Sequence, residues 1–255
     1  MILTDTHTHL YSEAFDNDRE IVIRNAFESG VTRFFLPAID STYTNEMYKL
    51  ANEYPQNIFL MAGLHPTHVK RNYKEEINLI ANELSSRKFV AVGEIGIDLY
   101  WDKTTYREQE DAFRLQIRLA KEHKLPIVIH CRNAFDEIFK ILNDEKSEDL
   151  FGIFHCFTGD LQQARKAISY NMKLGIGGVV TFKNGKIDKF LSKIDLSDIV
   201  LETDAPYLSP VPYRGRRNES AYLVNILEKV ADIYGISKSE VASVTTQNSI
   251  DVFGV

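Results

Sequence analysis

The stretch FVAVGEIGID, residues 89–98, joins a short apolar run to two carboxylates. Residues 89–92 have the apolar and β-branched character of a buried strand. Glu94 and Asp98 follow at the end of that run. Parallel α/β proteins build their sites from side chains at the carboxyl ends of strands, so this stretch is typical of that fold class.

Seven further β-rich runs alternate with amphipathic stretches of helical period. Eight strand–helix units in about 250 residues are the count and length of a (β/α)8 TIM barrel. We therefore predict an α/β fold with one domain over residues 1–255, and an additional C-terminal helix over residues 237–253. A doubly wound sheet is the structural alternative. The predicted strands are residues 1–5, 31–37, 58–62, 89–92, 127–129, 152–154, 172–176 and 199–201.

The composition is that of an ordinary globular protein, with 44% apolar residues, 26% charged residues and a net charge of −6. No apolar run reaches the roughly 18 residues of a membrane span, and no signal peptide is visible. Cys131 and Cys156 give no disulfide framework. These features predict a cytoplasmic monomer with no membrane association and no obligatory protein partner. The negative charge also argues against a broad basic face for nucleic acid.

Six of the predicted strands end in His, Glu or Asp residues. In a (β/α)8 barrel all these ends lie on one rim, where active sites are built. Because residues i and i+2 of a strand project to the same side, the first two histidines should point together into the barrel mouth. In chain order the residues are His7 and His9, His65, Glu94 and Asp98, His130, His155, and Asp204.

Imidazoles and carboxylates together suit divalent ions such as Zn²⁺, Mn²⁺ or Mg²⁺. One catalytic ion with an open position uses about three or four protein ligands. Two divalent ions that share a bridging carboxylate therefore explain the ligand number better. Asp98 and Glu202 are candidates for orienting the ligands, and the thiols of Cys131 and Cys156 should face the helices. The six predicted ligands are His7, His9, Glu94, His130, His155 and Asp204.

An ordered set of motifs resembles the TatD-type metal-dependent deoxyribonucleases of the amidohydrolase superfamily. The motifs are DTHTHL, GLHP, GEIGID, IHCR, HCFTG and ETDAPYLSPVPYRGRRN, and they cover essentially the whole chain. The resemblance implies that the cytoplasmic protein hydrolyses phosphodiester bonds of DNA, often from the 3′ end. It also implies one ion held by His7, His9, Glu94 and Asp204, and a second held by Glu94, His130 and His155.

Further residues have predicted roles in the chemistry. Asp204 is the predicted base, Glu94 bridges the ions, and His65 is either a contact to the substrate phosphate or a loop histidine beside Pro66. Arginine forms paired hydrogen bonds with phosphate, so a local arginine cluster in an acidic chain predicts a phosphate-binding loop. The predicted phosphate-binding residues are Arg214, Arg216 and Arg217, with Arg132 and Lys183 as weaker candidates.

Two other functions are compatible with parts of this pattern. The first alternative is a binuclear-metal amidohydrolase that acts on a small-molecule ester, amide, lactone or phosphotriester. Many such enzymes are bridged by a carboxylated lysine, whereas Glu94 occupies the fourth strand end here. The second alternative is a non-catalytic metal-binding or nucleic-acid-binding protein, which has no need for a full ligand set with an added base.

Overall fold

Eight short parallel strands form one sheet in the order β1 to β8. The computed structural model describes all 255 residues. Thr6 N donates to Leu201 O at 3.1 Å, and Thr8 forms a parallel bridge with Ala205, so the first and last strands meet. The sheet closes into a TIM-like barrel, which confirms the predicted fold class. The strands are β1 (Leu3–Asp5), β2 (Val31–Leu36), β3 (Ile58–Ala62), β4 (Ala91–Asp98), β5 (Ile127–Arg132), β6 (Gly152–Phe154), β7 (Met172–Ile176) and β8 (Ile199–Leu201).

The helices follow the predicted alternation except between β7 and β8. That connection contains no α-helix and is built from short 3₁₀ turns. The additional C-terminal helix is confirmed as α8, and none of the helices combines the length and apolarity needed to cross a membrane. The helices are α1 (Arg19–Glu28), α2 (Thr44–Glu53), α3 (Tyr73–Ser86), α4 (Tyr106–His123), α5 (Phe135–Asp144), α6 (Leu161–Ile168), α7 (Leu223–Tyr234) and α8 (Lys238–Phe253).

Strand alternation divides the buried apolar residues into two clusters. Outward side chains such as Phe34 and Leu36 belong to a cluster of 59 residues that joins the strands to the surrounding helices. Inward side chains such as Phe35 belong to a separate cluster of nine residues. Because successive side chains of a strand point to opposite faces, one strand supplies both clusters.

The C-terminal helix closes the amino-terminal end of the barrel. Asn248 of α8 donates to Leu196 O at 2.9 Å and to Ile199 O at 2.7 Å, where β8 begins. Phe253 of α8 joins the interior cluster and stacks on Phe35 with ring centroids 4.1 Å apart. This helix therefore supplies apolar side chains that the eight strands alone do not provide.

Shortening Phe253 to alanine should destabilise the protein by about 3–5 kcal/mol, the usual cost of removing a buried phenylalanine side chain. Phe253 is 6% exposed, so little of that loss is offset by solvent contact in the native state. Urea unfolding of F253A and of the surface control Leu79→Ala measures the difference. A loss below about 1 kcal/mol for F253A would show that α8 does not close the barrel as described.

Candidate metal centre

The inward side chains of three strands change from apolar to polar at the carboxyl-terminal rim. The change occurs over two residues, which is one repeat of the strand. The same alternation that fills the barrel interior therefore points these polar groups into the barrel mouth. The pairs are Val128 and His130 on β5, Ile153 and His155 at the end of β6, and Val200 and Glu202 at the end of β8.

His7 and His9 lie beyond β1, which ends at Asp5. The expectation that they continue a regular strand is wrong, because β1 is only three residues long and its register with β2 shifts between Leu3 and Thr4. Both rings nevertheless reach the barrel mouth, with their centroids 5.2 Å apart and edge to face. Both histidines are almost completely buried.

Glu94 reaches the barrel interior through an irregularity of β4. The pairing of β4 with β5 shifts between Gly93 and Ile95, so Glu94 is an extra residue in the strand. Such bulges often re-aim a side chain beside an active site. Gly93 is needed here because a Cβ at this position would lie 2.7 Å from Val128 Cβ. The sequence prediction ended this strand at residue 92, whereas β4 continues to Asp98.

One carboxylate oxygen of Glu94 faces the histidines of the first strand. Glu94 Oε2 lies 3.0 Å from His7 Nε2 and 3.8 Å from His9 Nε2. Asp204 Oδ1 approaches the same two imidazole nitrogens at 3.8 Å and 3.5 Å. These four side chains form the first donor set, with the members that the resemblance implied.

The other oxygen of Glu94 faces the histidines of β5 and β6. Glu94 Oε1 lies 2.7 Å from His130 Nδ1 and 3.5 Å from His155 Nε2. His155 is stacked on His7 with ring centroids 3.5 Å apart, and its Nε2 is 4.0 Å from Asp204 Oδ1. We call Glu94, His130 and His155, the residues that the resemblance implies for the second ion, the second donor set. The donor atoms that lie within 4.8 Å of one another around this oxygen are those of His65, Glu94 and His130. Glu94 thus presents a different oxygen to each set.

His65 also reaches Glu94, but its ring is arranged as a hydrogen-bond donor. His65 Nε2 is 3.2 Å from Glu94 Oε1, while its Nδ1 accepts the backbone N–H of Thr67 at 3.1 Å. Burial lowers the pKa of His65 to about 4, so the ring carries one proton at neutral pH. Because Nδ1 accepts a backbone N–H, that proton is on Nε2 and points into the site.

Other polar contacts fix the orientation of three further imidazoles. His130 Nε2 lies 2.9 Å from Asp98 Oδ2, and His155 Nδ1 lies 2.9 Å from Glu202 Oε1. His9 Nδ1 lies 2.8 Å from the Tyr11 hydroxyl. In each case the remaining ring nitrogen faces Glu94 or Asp204, as metal-binding histidines generally require.

Tyr11 was not identified from the sequence. Its hydroxyl donates to Pro37 O at 2.6 Å, so the hydroxyl oxygen accepts from His9 Nδ1–H. This contact leaves a lone pair on His9 Nε2, which faces the first donor set. The only sequence signal was the spacing of two residues between His9 and Tyr11.

The electrostatics of Glu94 and His7 suit a divalent ion. Burial would raise the pKa of Glu94, but the neighbouring imidazoles outweigh it and hold that pKa well below its usual value. Burial also lowers the pKa of His7, which favours the neutral imidazole that binds metals. Donor atoms of His7, His9 and Glu94 all lie within 4.8 Å of one another, and so do those of His7, His155 and Asp204. The first donor set therefore fits a bound metal ion.

His155 depends on Glu202 for its position and charge. Burial would lower the pKa of His155, but Glu202, Glu94 and Asp204 together raise it to about 10. Glu202 is itself fully buried and lies against Gly175, where a Cβ would come within 2.2 Å of Glu202 Oε2. Gly175 thus provides the space for the carboxylate that orients His155.

The donor sets form the floor of an open cavity of about 560 Å³. Of the five predicted phosphate-binding residues, Arg132 lines this cavity. Arg217 is instead held by Asp18 at 2.7 Å and by Glu219 at 3.0 Å, so the structure does not bring it to the site. Arg214 lies over the Phe182 ring at 3.6 Å, and Arg216 and Lys183 are exposed outside the cavity wall.

Cys156 corrects one expectation about the cysteines. The strand alternation predicted that its thiol faces the helices, but β6 ends at Phe154 and Cys156 has a φ of 42°. Its side chain consequently lines the same cavity as His155. Cys131 is half-buried, packs against the outer apolar cluster and also reaches the cavity wall.

Replacing Glu202 with glutamine should weaken metal binding by about 10–100-fold, the usual effect of changing a group that orients a metal ligand. Glutamine keeps the size of the side chain but removes the charge that faces His155. Competition with a chromophoric chelator measures the affinity for Mn²⁺ or Zn²⁺ in the parent protein, in Glu202→Gln and in the surface control Glu228→Gln. Equal affinities of Glu202→Gln and the parent would contradict the orienting role.

Comparison with known proteins places this architecture in a family. The model of the TatD related DNases matches residues 4–254. A metal-dependent hydrolase of Bacillus subtilis, YabD, is 38% identical over the full length of both chains. The 3′-5′ ssDNA/RNA exonuclease TatD of Pantoea ananatis is 31% identical over 98% of this chain and 99% of its own. The crystal structure of the TatD homologue YjjV of Escherichia coli superposes with a TM-score of 0.94 at 28% identity, covering 99% of this chain and 98% of that one. This chain therefore belongs to the TatD family of metal-dependent hydrolases.

Proposed function

We propose that the protein hydrolyses phosphodiester bonds of DNA from the 3′ end, with two divalent ions as cofactors. The observation that carries the proposal is that the two oxygens of Glu94 face separate donor sets on the floor of one open cavity. A shared carboxylate is the arrangement expected for a pair of ions that act on one phosphate. The exonuclease relative from Pantoea ananatis, whose name gives ssDNA and RNA as substrates, supports the same activity.

The residues divide into two groups that would hold the cofactors. His7, His9, Glu94 and Asp204 would hold one ion, and Glu94, His130 and His155 would hold the other. When bound, such ions stabilise negative charge on a phosphate and promote the ionisation of water. Asp98, Glu202 and Tyr11 hold the imidazoles of His130, His155 and His9 in place before the substrate binds.

Asp204 accepts the proton of the attacking water in this proposal. Burial would raise the pKa of Asp204, but the neighbouring imidazoles, His155 first among them, outweigh it and lower that pKa. The side chain is therefore a carboxylate at neutral pH and lines the cavity. As the water oxygen bonds to phosphorus, its proton goes to Asp204, the P–O3′ bond breaks, and the departing 3′-oxygen takes a proton from solvent to become a hydroxyl.

Two side chains are placed to hold the phosphate. His65, whose Nε2–H faces Glu94 Oε1 at 3.2 Å, lines the cavity beside the donor sets, and Arg132 lines its wall. Both donate hydrogen bonds, which suits the non-bridging phosphate oxygens. Arg214, Arg216 and Lys183 lie outside the cavity wall. They remain predicted contacts for the part of a long DNA strand that extends beyond the cavity.

Hydrolysis of a small-molecule ester, amide or lactone is the competing proposal. A carboxylated lysine, which bridges the ions in many such enzymes, has no counterpart here because no lysine lines the cavity. A cavity of about 560 Å³ that is open to solvent also admits the end of a polymer as readily as a small substrate.

A substrate panel tests the activity directly. Protein reconstituted with Mn²⁺, Mg²⁺ or Zn²⁺ is incubated with labelled single-stranded DNA, duplex DNA, RNA and small aryl or lactone esters. We expect mononucleotides to accumulate from DNA with a free 3′ end, and protection of strands whose 3′ end is blocked. Cleavage of the small esters without cleavage of any nucleic acid would overturn the proposal. Strands blocked at the 5′ end serve as the matched control.

Replacing Asp204 with asparagine should lower kcat on DNA by about 10²–10⁴-fold, the usual worth of general acid–base catalysis. Asparagine keeps the size and a neutral oxygen but cannot accept the proton. The assay is repeated at saturating metal, and elemental analysis checks that the ion content is maintained. If Asp204→Asn cleaves DNA within a few-fold of the parent under those conditions, Asp204 is not the base.

A further inference from the structure

We infer that Trp101 is a stacking platform for an unpaired nucleobase, held beside the donor sets by the turn that follows β4. The inference rests on the proposed function, which it extends to the substrate class. Stacking on the indole requires a nucleobase that is not paired with a second nucleic-acid strand. The inferred substrate class is therefore single-stranded nucleic acid.

Two large aromatic residues are exposed in the turn that follows β4, at the rim of the barrel mouth. Trp101 is 69% exposed and Tyr100 is 54% exposed. Their rings meet edge to face, with centroids 5.0 Å apart. An indole at this level of exposure contributes little to folding, because most of its apolar surface stays in water. It is instead available to a planar ligand, and every nucleobase has a flat π face.

Trp101 lines two neighbouring cavities that could hold successive nucleotides. It lines the cavity above the donor sets and also a neighbouring cavity of about 370 Å³. Lys70 and Arg71 line the second cavity, and Arg132 lines the first. A base on the indole would therefore have cationic groups on either side for its phosphates, although the chain as a whole carries a net charge of −6.

The carboxylates that line the second cavity are hydrogen-bonded to other groups of the protein. Asp98 and Asp102 line the second cavity together with the basic residues. Asp102 Oδ1 accepts from the Thr104 backbone at 2.7 Å and from the Thr104 hydroxyl at 2.6 Å. Asp98 is engaged by His130 and by two backbone N–H groups. These carboxylates are hydrogen-bonded within the protein, whereas the basic side chains of Lys70 and Arg71 on the same cavity wall form no ion pair with them.

Arg132 is held against the same aromatic pair. Its guanidinium carbon lies 3.8 Å from the centroid of the Tyr100 ring and 5.3 Å from that of Trp101. Cation–π contacts of this kind orient an arginine while leaving its N–H groups free to donate. The Tyr100 ring thus positions the arginine that contacts phosphate, and Trp101 offers its surface to the base.

The platform is tied to a metal ligand by one side chain. Asp98 Oδ1 accepts the backbone N–H of Tyr100 at 2.9 Å and that of Trp101 at 3.1 Å. The other oxygen of the same carboxylate lies 2.9 Å from His130 Nε2. The backbone that carries the indole is therefore held at a fixed distance from His130 of the second donor set.

The stacking can be observed directly because Trp101 is the only tryptophan in the chain. The probe is a short single-stranded oligothymidylate whose last three linkages are phosphorothioates, so that it stays bound to the metal-loaded protein without rapid cleavage. We expect it to quench the tryptophan emission. A strand of the same length and charge with abasic sites at its 3′ end, and a blunt-ended duplex, should bind more weakly and leave the emission nearly unchanged.

Substitution at this position gives an independent measurement. Fluorescence anisotropy of the labelled oligothymidylate should show a Kd raised by about 5–150-fold in Trp101→Ala, the range reported by alanine substitution for one base–aromatic stack. Trp101→Phe should retain most of the affinity, because phenylalanine still stacks. Leu79→Ala, an exposed apolar residue on α3, is the control for unspecific effects and should bind as the parent does.

The outcomes separate this inference from the proposed function. If the metal-loaded parent degrades unmodified single-stranded DNA, but abasic and normal strands quench equally and Trp101→Ala binds as the parent does, the platform is overturned and the nuclease activity stands. If the parent neither binds nor degrades any nucleic acid in the panel but hydrolyses a small ester, the proposed function itself has failed. Quenching that is specific for bases, together with weaker binding by Trp101→Ala, supports the inference.

Discussion

The buried carboxylate of Glu94 is the group on which the rest of the site depends. Moving an ionised carboxylate out of water costs several kcal/mol unless partners compensate it. Here imidazoles of four elements approach it within 4 Å, and together they hold its pKa far below the usual value. The bulge of β4 turns this carboxylate inward, and Gly93 beside it leaves room for Val128 of β5. The imidazoles, in turn, are arranged around its two oxygens.

Stability and chemistry occupy opposite ends of the barrel. At the amino-terminal end Phe253 and its neighbours in α8 complete an apolar interior that needs no polar partner. At the carboxyl-terminal end the same inward positions carry histidines and carboxylates whose burial is costly. The apolar layer stabilises the fold and so offsets the free energy needed to bury the polar groups. The polar layer supplies the groups for the chemistry. This division is common to barrels in which conserved architecture supports varied chemistry.

Much of the fold could be predicted because hydrophobic strand signals are local. The ranges 58–62, 152–154, 172–176 and 199–201 agree with β3, β6, β7 and β8. The prediction for β4 stopped early, because the acidic and glycine residues of GEIGID are depleted in ordinary strands while a bulge tolerates them. The helix expected between β7 and β8 is absent. The glycines and the short apolar runs of this connection do not give a continuous amphipathic face, and the segment forms 3₁₀ turns instead.

The candidate site could be predicted as a set of residues but not as a set of contacts. Strand ends identified the histidines and carboxylates because a barrel brings those ends to one rim. The proton position on His65 depends on the Thr67 backbone, and the environment of Arg217 depends on Asp18, which is 199 residues away in the chain. Neither relation has a signature in the local sequence. Backbone geometry and long-range pairing decide such details after the chain has folded.

The hydrogen bonds of Asp98 have a consequence for how this enzyme family could diversify. The carboxylate holds the backbone N–H groups of residues 100 and 101, and it makes no demand on the side chains at those positions. Different side chains could therefore occupy both positions while the imidazole of His130 keeps its alignment. Such an arrangement separates the evolution of substrate range from that of the catalytic apparatus, because variation at the turn leaves the ligands undisturbed. Substitutions at residues 100 and 101 could therefore change the substrates that are bound while the metal ligands stay in place.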